Sequence, residues 1–266
     1  MNIISSIVLS TVFLVLSGVQ STAQEIIKSE VVPVNDTELY YEKYGDGPPL
    51  IFLHGYSLSS KAWRDYVSEF SSDYTVYLID LTGHGQSKPF HKKLSFQEVA
   101  SDLNALLRHL KLDNIQAIGF SFGGDILYQL ALLNPSLIKS MITIGAVGTW
   151  TIDDFMQYQE VFNYENKDQF PWLSTMHASD EHVKNLMAQF LNYKVYLNDA
   201  DLKSIKPEVM IMIGDDDEGM HFDEIARARK YIPNSDIWIL PNVSHGAHEG
   251  NNKAEFAKKA KSFLTK

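Results

Sequence analysis

The chain has 266 residues, 45% hydrophobic and 12% aromatic, enough for one large core and a small insert. Its formal net charge of −10, with no basic run, disfavours a nucleic-acid partner and reads as a solubilising surface. There are no cysteines, which excludes disulfides, thiolate metal sites and a cysteine nucleophile.

In chain order, residues 1–23 carry no charged side chain, and residues 3–19 are almost wholly apolar. Ser21-Thr22-Ala23 then sets small residues ahead of Gln24. The segment reads as a secretory signal peptide over 1–23, which predicts a secreted or periplasmic product spanning 24–266. It has no Lys or Arg before the apolar run, so an uncleaved anchor is the alternative; about 17 apolar residues is the lower limit for a span. No later segment is long and apolar enough to cross a bilayer.

Residues 30–35 and 38–44 predict a strand hairpin around Asn35-Asp36-Thr37. Residues 50–53, 74–79, 115–119, 140–144, 209–213 and 237–240 are short continuous apolar runs, as expected of strands covered on both faces. Helical patterns alternate with them. Ser95 and Glu98 propose a capping box, and Phe96, Val99, Leu103, Leu106, Leu107 and Leu110 recur at helical spacing. A second helix runs from about Gly123 and stops before Pro135; a last one covers 254–264. This alternation predicts a mostly parallel sheet with helices on both faces.

The rhythm fails between Val147 and about Ile205. Trp150, Phe155, Met156, Tyr158, Phe162, Tyr164, Phe170, Trp172, Met176, Met187 and Phe190 crowd this stretch without strand periodicity. Val183, Leu186, Met187, Phe190 and Leu191 suggest one helix.

Gly119-Phe120-Ser121-Phe122-Gly123 stands between an apolar strand and an apolar helix. In that setting the motif reads as a sharp turn with Ser121 at its apex, its hydroxyl raised off the sheet at a helix N-terminus. A serine hydroxyl is a poor nucleophile at neutral pH. It needs a base within hydrogen-bond reach and an acid that orients the base. His54, Ser121, Asp217 and His245 all follow strand ends, so they should converge on one edge of the sheet.

The chain resembles the α/β-hydrolases over the stretch from Pro49 to His245. The resemblance rests on Pro49-Leu50-Ile51-Phe52-Leu53-His54-Gly55-Tyr56, on Asp80-Leu81-Thr82-Gly83-His84-Gly85-Gln86-Ser87, and on the serine turn. It continues in Val209–Gly214 with Asp215-Asp216-Asp217, and in Ile237–Leu240 with its loop to Ser244-His245. The order Ser, Asp, His is that family's own.

The resemblance implies an α/β-hydrolase fold with a small helical cap, about 147–205, inserted after the sixth strand. It makes Ser121 the nucleophile and His245 the base, with His248 as competitor. It makes Asp217 the acid through the pattern Gly-x-x-Asp, with Asp215 as runner-up. The oxyanion hole falls to the backbone N–H groups of Tyr56 and Phe122. His54 is expected to hold the oxyanion loop by hydrogen bonds, and Asp80 and His84 to form turns. Serine in place of aspartate at 121 disfavours dehalogenation and epoxide opening.

No nucleotide cofactor is implied, since no Gly-x-Gly-x-x-Gly follows a first strand. No metal is implied either: the three aspartates lack the alternating ligands, central glycine and closing glutamate of a calcium loop. The expected partner is a small-molecule substrate, a carboxylic ester or thioester whose apolar portion meets the aromatic cap. C–C bond, amide or lactone hydrolysis, acyl transfer and peracid formation use the same machinery. A hydrolase-like receptor with negligible turnover is the rival from another class.

Overall fold

The computed structural model describes residues 25–151 and 156–265; the expected signal segment 1–23 and Phe155 lie outside them. The strands are β1 (Lys28–Val34), β2 (Thr37–Tyr44), β3 (Pro49–Leu53), β4 (Thr75–Ile79), β5 (Ile115–Phe120) and β6 (Ile138–Ile144). They continue as β7 (Thr149–Thr151), β8 (Lys194–Tyr196), β9 (Glu208–Gly214) and β10 (Ser235–Leu240).

An eight-stranded sheet runs in the order β1-β2-β4-β3-β5-β6-β9-β10. The β1/β2 and β2/β4 pairs are antiparallel, and every pair from β4 to β10 is parallel. Parallel strands buried on both faces need apolar side chains at consecutive positions, which is why they read as unbroken runs. Their residues still alternate between two cores. Ile51 and Leu53 of β3 serve one, Leu50 and Phe52 the other; Ile211 and Ile213 of β9 oppose Met210 and Met212.

Helices cover both faces. A 3-10 turn, Ser60–Tyr66, leads into α1 (Val67–Phe70). Then come α2 (Phe96–His109) and α3 (Phe122–Leu133). In α2 the Ser95 hydroxyl accepts from the Glu98 N–H at 3.3 Å, the serine half of the capping box. The insert between β6 and β9 holds α4 (Met156–Val161), α5 (Trp172–Met176), α6 (Asp180–Gln189) and α7 (Asp199–Ser204). After β9 follow α8 (Phe222–Tyr231) and α9 (Lys253–Leu264). Side chains of α2, α3 and α8 join one core; those of α1 and α9 join the other.

Several elements escape the sequence patterns. The segment from Ser60 to Phe70 and helix α8 are short, and α8 buries only Ile225 and Ala228, too few to show a period. The insert is also not wholly helical. β7 and β8 pair antiparallel, Trp150 opposite Val195, and close its base; three residues are too few for an alternation to register. Among the described residues no helix is long and apolar enough to cross a membrane.

Candidate active site

The backbone at Ser121 is bent into an unusual shape. The residue joins β5 to α3 at φ 50° and ψ −115°, a region that L side chains rarely occupy. Its N–H donates to Ile144 O at 2.7 Å, and its carbonyl accepts from Asp125 N at 3.0 Å, so both flanks of the turn are fixed. The flanking glycines have a steric cause. A Cβ on Gly119 would lie 2.6 Å from the Gly123 carbonyl, and one on Gly123 would lie 2.5 Å from Leu53 O. Strand, turn and helix pack too closely here for any side chain, and the hydroxyl is left at the sheet edge.

His245 reaches the same edge from the loop after β10. Its Nδ1 lies 2.7 Å from Asp217 Oδ2, with the Asp217 side chain buried and the imidazole about one-third exposed. Nδ1 donates to the carboxylate, which leaves Nε2 as the free acceptor. Asp217 Oδ1 accepts from Gly219 N at 3.2 Å, so both carboxylate oxygens are held. Gly145, at φ 59°, sits under the imidazole: a Cβ there would be 2.8 Å from its Nδ1 and Cε1. Phe120 packs on the ring at 5.0 Å, and Trp150 meets it edge-on at 5.9 Å.

The neighbouring aspartates do other work. Asp215 and Asp216 are exposed, and the Asp215 carboxylate accepts from Val243 N at 3.4 Å, within the loop. His248 is a core residue, packed at a tilt against Trp63 at 4.7 Å and Phe120 at 4.8 Å. Burial pushes its imidazole down to about 3, so it stays neutral.

The loop after β3 is tied down by His54. That buried imidazole donates from Nδ1 to Gly55 O at 2.8 Å and accepts the Leu81 N–H at Nε2, 3.1 Å. Asp80 builds the adjoining turn, accepting from Ser60 N at 2.6 Å and Gln86 N at 2.8 Å. His84 Nδ1 donates to Thr82 O at 3.0 Å. Among the described residues, the Tyr56 and Phe122 N–H groups meet no backbone or side-chain acceptor. Their rings stand 5.4 Å apart and nearly perpendicular.

The insert closes over this edge. Two residues that sequence reasoning missed stand out. Tyr193, from the turn before β8, is buried among the rings of Phe96, Tyr56, Phe190 and Phe122. Asp125, one turn into α3, accepts from Gly148 N at 2.9 Å and so anchors the start of the insert. Burial raises its carboxyl to about 8. Asp125 could have been suspected, because α3 is apolar all round and must bury its one acid. Nothing in the sequence marks Tyr193. Of the aromatics that crowd the insert, Trp150 touches the histidine, whereas Tyr158, Phe162, Phe170 and Phe190 mainly pack on one another.

A doubly covered parallel sheet, with serine, imidazole and carboxylate gathered past its strand ends, is the class of molecule these observations define. The family model described as alpha/beta hydrolase fold matches residues 48–199, and the chain belongs to that family. A non-heme chloroperoxidase, CPO-A1, of Kitasatospora aureofaciens is 26% identical over 269 residues, covering 86% of this chain and 96% of its own. A putative esterase/lipase of Haemophilus influenzae is 27% identical over 247 residues, covering 82% of this chain and 84% of its own. Carboxylesterase CesB from Bacillus subtilis shares the fold at a TM-score of 0.74 and 20% identity, covering 89% of this chain and 91% of that one.

Proposed function

We propose that the chain is a serine hydrolase that cleaves a carboxylic ester or thioester through an acyl-enzyme. Ser121 Oγ attacks the carbonyl carbon and passes its proton to His245 Nε2. Asp217 holds the imidazole in the right tautomer and stabilises the imidazolium. Charge on the former carbonyl oxygen is met by the Tyr56 and Phe122 N–H groups, aligned before the reaction begins. The imidazolium then protonates the leaving alcohol or thiol as its bond to the acyl carbon breaks. Water, deprotonated by the same histidine, attacks the acyl-enzyme and releases the acid.

The reading is carried by one juxtaposition: the 2.7 Å His245–Asp217 pair on the sheet edge where Ser121 is held at φ 50°. Trp150, Tyr56 and Phe122 give the site aromatic walls, which favours an apolar acyl or alcohol portion. The Haemophilus relative's name favours an ester substrate. The chloroperoxidase relative favours a second reading, in which hydrogen peroxide replaces water at the acyl-enzyme and leaves as a peracid.

A fluorophosphonate probe and a panel of p-nitrophenyl esters from acetyl to decanoyl test the proposal. Sustained turnover is expected, with kcat/KM rising as the apolar site gains about 0.8 kcal/mol per methylene. Ser121→Ala should abolish probe labelling and lower the rate by a factor on the order of 10⁴–10⁶. A burst of one product equivalent without steady state would mark a receptor instead. Labelling unaffected by Ser121→Ala would move the nucleophile elsewhere.

A further inference from the structure

Trp150 reaches the acid–base pair from the cap. It lies on β7, opposite Val195 of β8, and is 2% exposed. The strand that carries it is fixed two residues upstream. Gly148 N donates to Asp125 Oδ1 in α3 at 2.9 Å, and Gly148 O accepts from Leu197 N at 2.8 Å. The indole therefore projects from a braced point, and its ring stands 5.9 Å from the His245 ring at 77°.

The outer edge of the same indole rests on Gly219. A Cβ there would run into Cη2 and Cζ3, with Cζ2 at 3.3 Å, so its three nearest neighbours would all be indole atoms. The Gly219 backbone lies outside the left-handed region, so no backbone strain forbids a side chain. What excludes one is Trp150. Gly219 belongs to the turn that presents the acid: Met220 N donates to Asp217 O at 3.0 Å, and Gly219 N to Asp217 Oδ1 at 3.2 Å. The other carboxylate oxygen, Oδ2, takes the His245 contact at 2.7 Å. One indole thus touches the base directly and the acid through its turn.

We propose that Trp150 is a positioning residue, through which the cap holds Asp217 and His245 in alignment. Asp216 and Glu218, on either side of Asp217, are exposed, and the indole supplies an apolar contact that fixes the turn between Asp217 and Met220. Fixing matters because a misplacement of about 1 Å can cost about 10² in rate. The Asp217 side chain is also only 3% exposed, so the imidazolium formed in the reaction meets its carboxylate with little water between them, where the attraction is stronger. The cap then does more than bound the substrate: a shift of β7 unseats the indole and slackens the pair, which links cap seating to the chemical step.

The proposal rests on the serine-hydrolase reading, and its test separates the two. Trp150→Phe keeps an apolar ring and removes the outer atoms that rest on Gly219. Gly219→Ala pushes the indole off its seat. The substrate is p-nitrophenyl acetate, whose short acyl group asks little of the apolar walls. Its kcat per fluorophosphonate-titrated site should fall about tenfold in Trp150→Phe and on the order of 10²-fold in Gly219→Ala. KM should stay within about twofold in both. The rate of fluorophosphonate labelling should fall with kcat, because nucleophile activation needs the same aligned base. The double variant, with room for the new methyl group, should recover to the level of Trp150→Phe. A purely structural role would lower Tm and leave kcat per titrated site unchanged. Either single variant with kcat within about twofold of wild type, losses that multiply in the double variant, or a loss confined to KM would overturn the proposal. If Gly219→Ala does not fold, Trp150→Phe, which adds no bulk, decides alone. A wild-type chain with no fluorophosphonate labelling and no ester turnover would remove the hydrolase reading itself, and the positioning role with it.

Discussion

At the scale of single residues, three adjacent aspartates face very different surroundings. The Asp217 carboxylate is buried against the imidazole, while Asp215 and Asp216 point to solvent. A shift of one residue moves a carboxylate by about 3.3–3.6 Å, more than a hydrogen bond tolerates. Asp217→Asn keeps the shape, removes the charge and frees the histidine to adopt the wrong tautomer. It should cost about 10⁴ in kcat. Asp215→Asn gives up a 3.4 Å bond to Val243 N inside an exposed loop and should stay within about threefold of wild type. Steady-state kinetics of the two variants decide; a crippled Asp215→Asn beside a near-silent Asp217→Asn would reverse the roles. The serine turn was legible in the sequence because its glycines are a local steric demand. The pattern Gly-x-x-Asp pointed at Asp217, but the contact itself depends on how the loop after β9 folds back on the loop after β10, through Asp215 N to Leu240 O at 3.0 Å and Asp216 N to Val243 O at 3.0 Å.

At the scale of elements, the contacts that hold the cap include two groups at opposite ends of it. Its base is the β7–β8 ribbon, joined to α8 through Arg227, which bonds Asp199 at 2.8 Å and Leu197 O at 2.5 Å. Its front is a histidine clasp on the loops after β3 and β4. His177 accepts Gly85 N–H at 2.9 Å and donates to Ser57 O at 3.1 Å, and His182 donates to Gly83 O at 2.9 Å. Only one neutral tautomer of His177 satisfies both of its partners. His177→Ala leaves a buried donor and a buried acceptor unpaired, at about 1–3 kcal/mol each. For a chain of this size that is a loss of several degrees, at about 2–4 °C per kcal/mol. Thermal melts with limited proteolysis of the cap check this; an unchanged Tm and cleavage pattern would mean that the clasp does not hold the cap. The sheet was readable from apolar runs because each strand is buried on both faces. The clasp was not, since a histidine in sequence looks the same whether it binds solvent or a distant carbonyl. Tyr193 was hidden for the same reason: its ring partners lie in α2, α3 and the loop after β3, brought together only by the fold.

At the scale of the whole molecule, the interior holds an unusual number of neutral imidazoles. Burial lowers His54, His84 and His182, and takes His177 and His248 to about 3. In the unfolded chain each takes up a proton near the ordinary value of 6.5. Between 6.5 and 3 the unfolded state therefore binds more protons than the folded one, and falling pH favours unfolding. His177 and His248 each remove about 1.4 kcal/mol per pH unit through that window, and His54, His84 and His182 act in the same direction. Asp125 works in the opposite sense. Its folded value near 8 exceeds the unfolded 3.8, so its contribution is full at low pH and is lost as pH rises toward 8. Several histidines outweigh one acid below 6.5, and above it the acid acts against a flat histidine background. Tm should peak near neutrality, fall steeply on acidification, and decline gently toward pH 8. Asp125→Asn, with its amide still able to accept from Gly148 N, should flatten the alkaline limb and steepen the acid limb, because Asp125 opposes the histidines between 3.8 and 6.5. Calorimetry of both proteins from about pH 4 to 9 tests this; an acid limb as flat as the alkaline one would mean that the buried imidazoles are protonated in place, and the neutral clasp would be wrong.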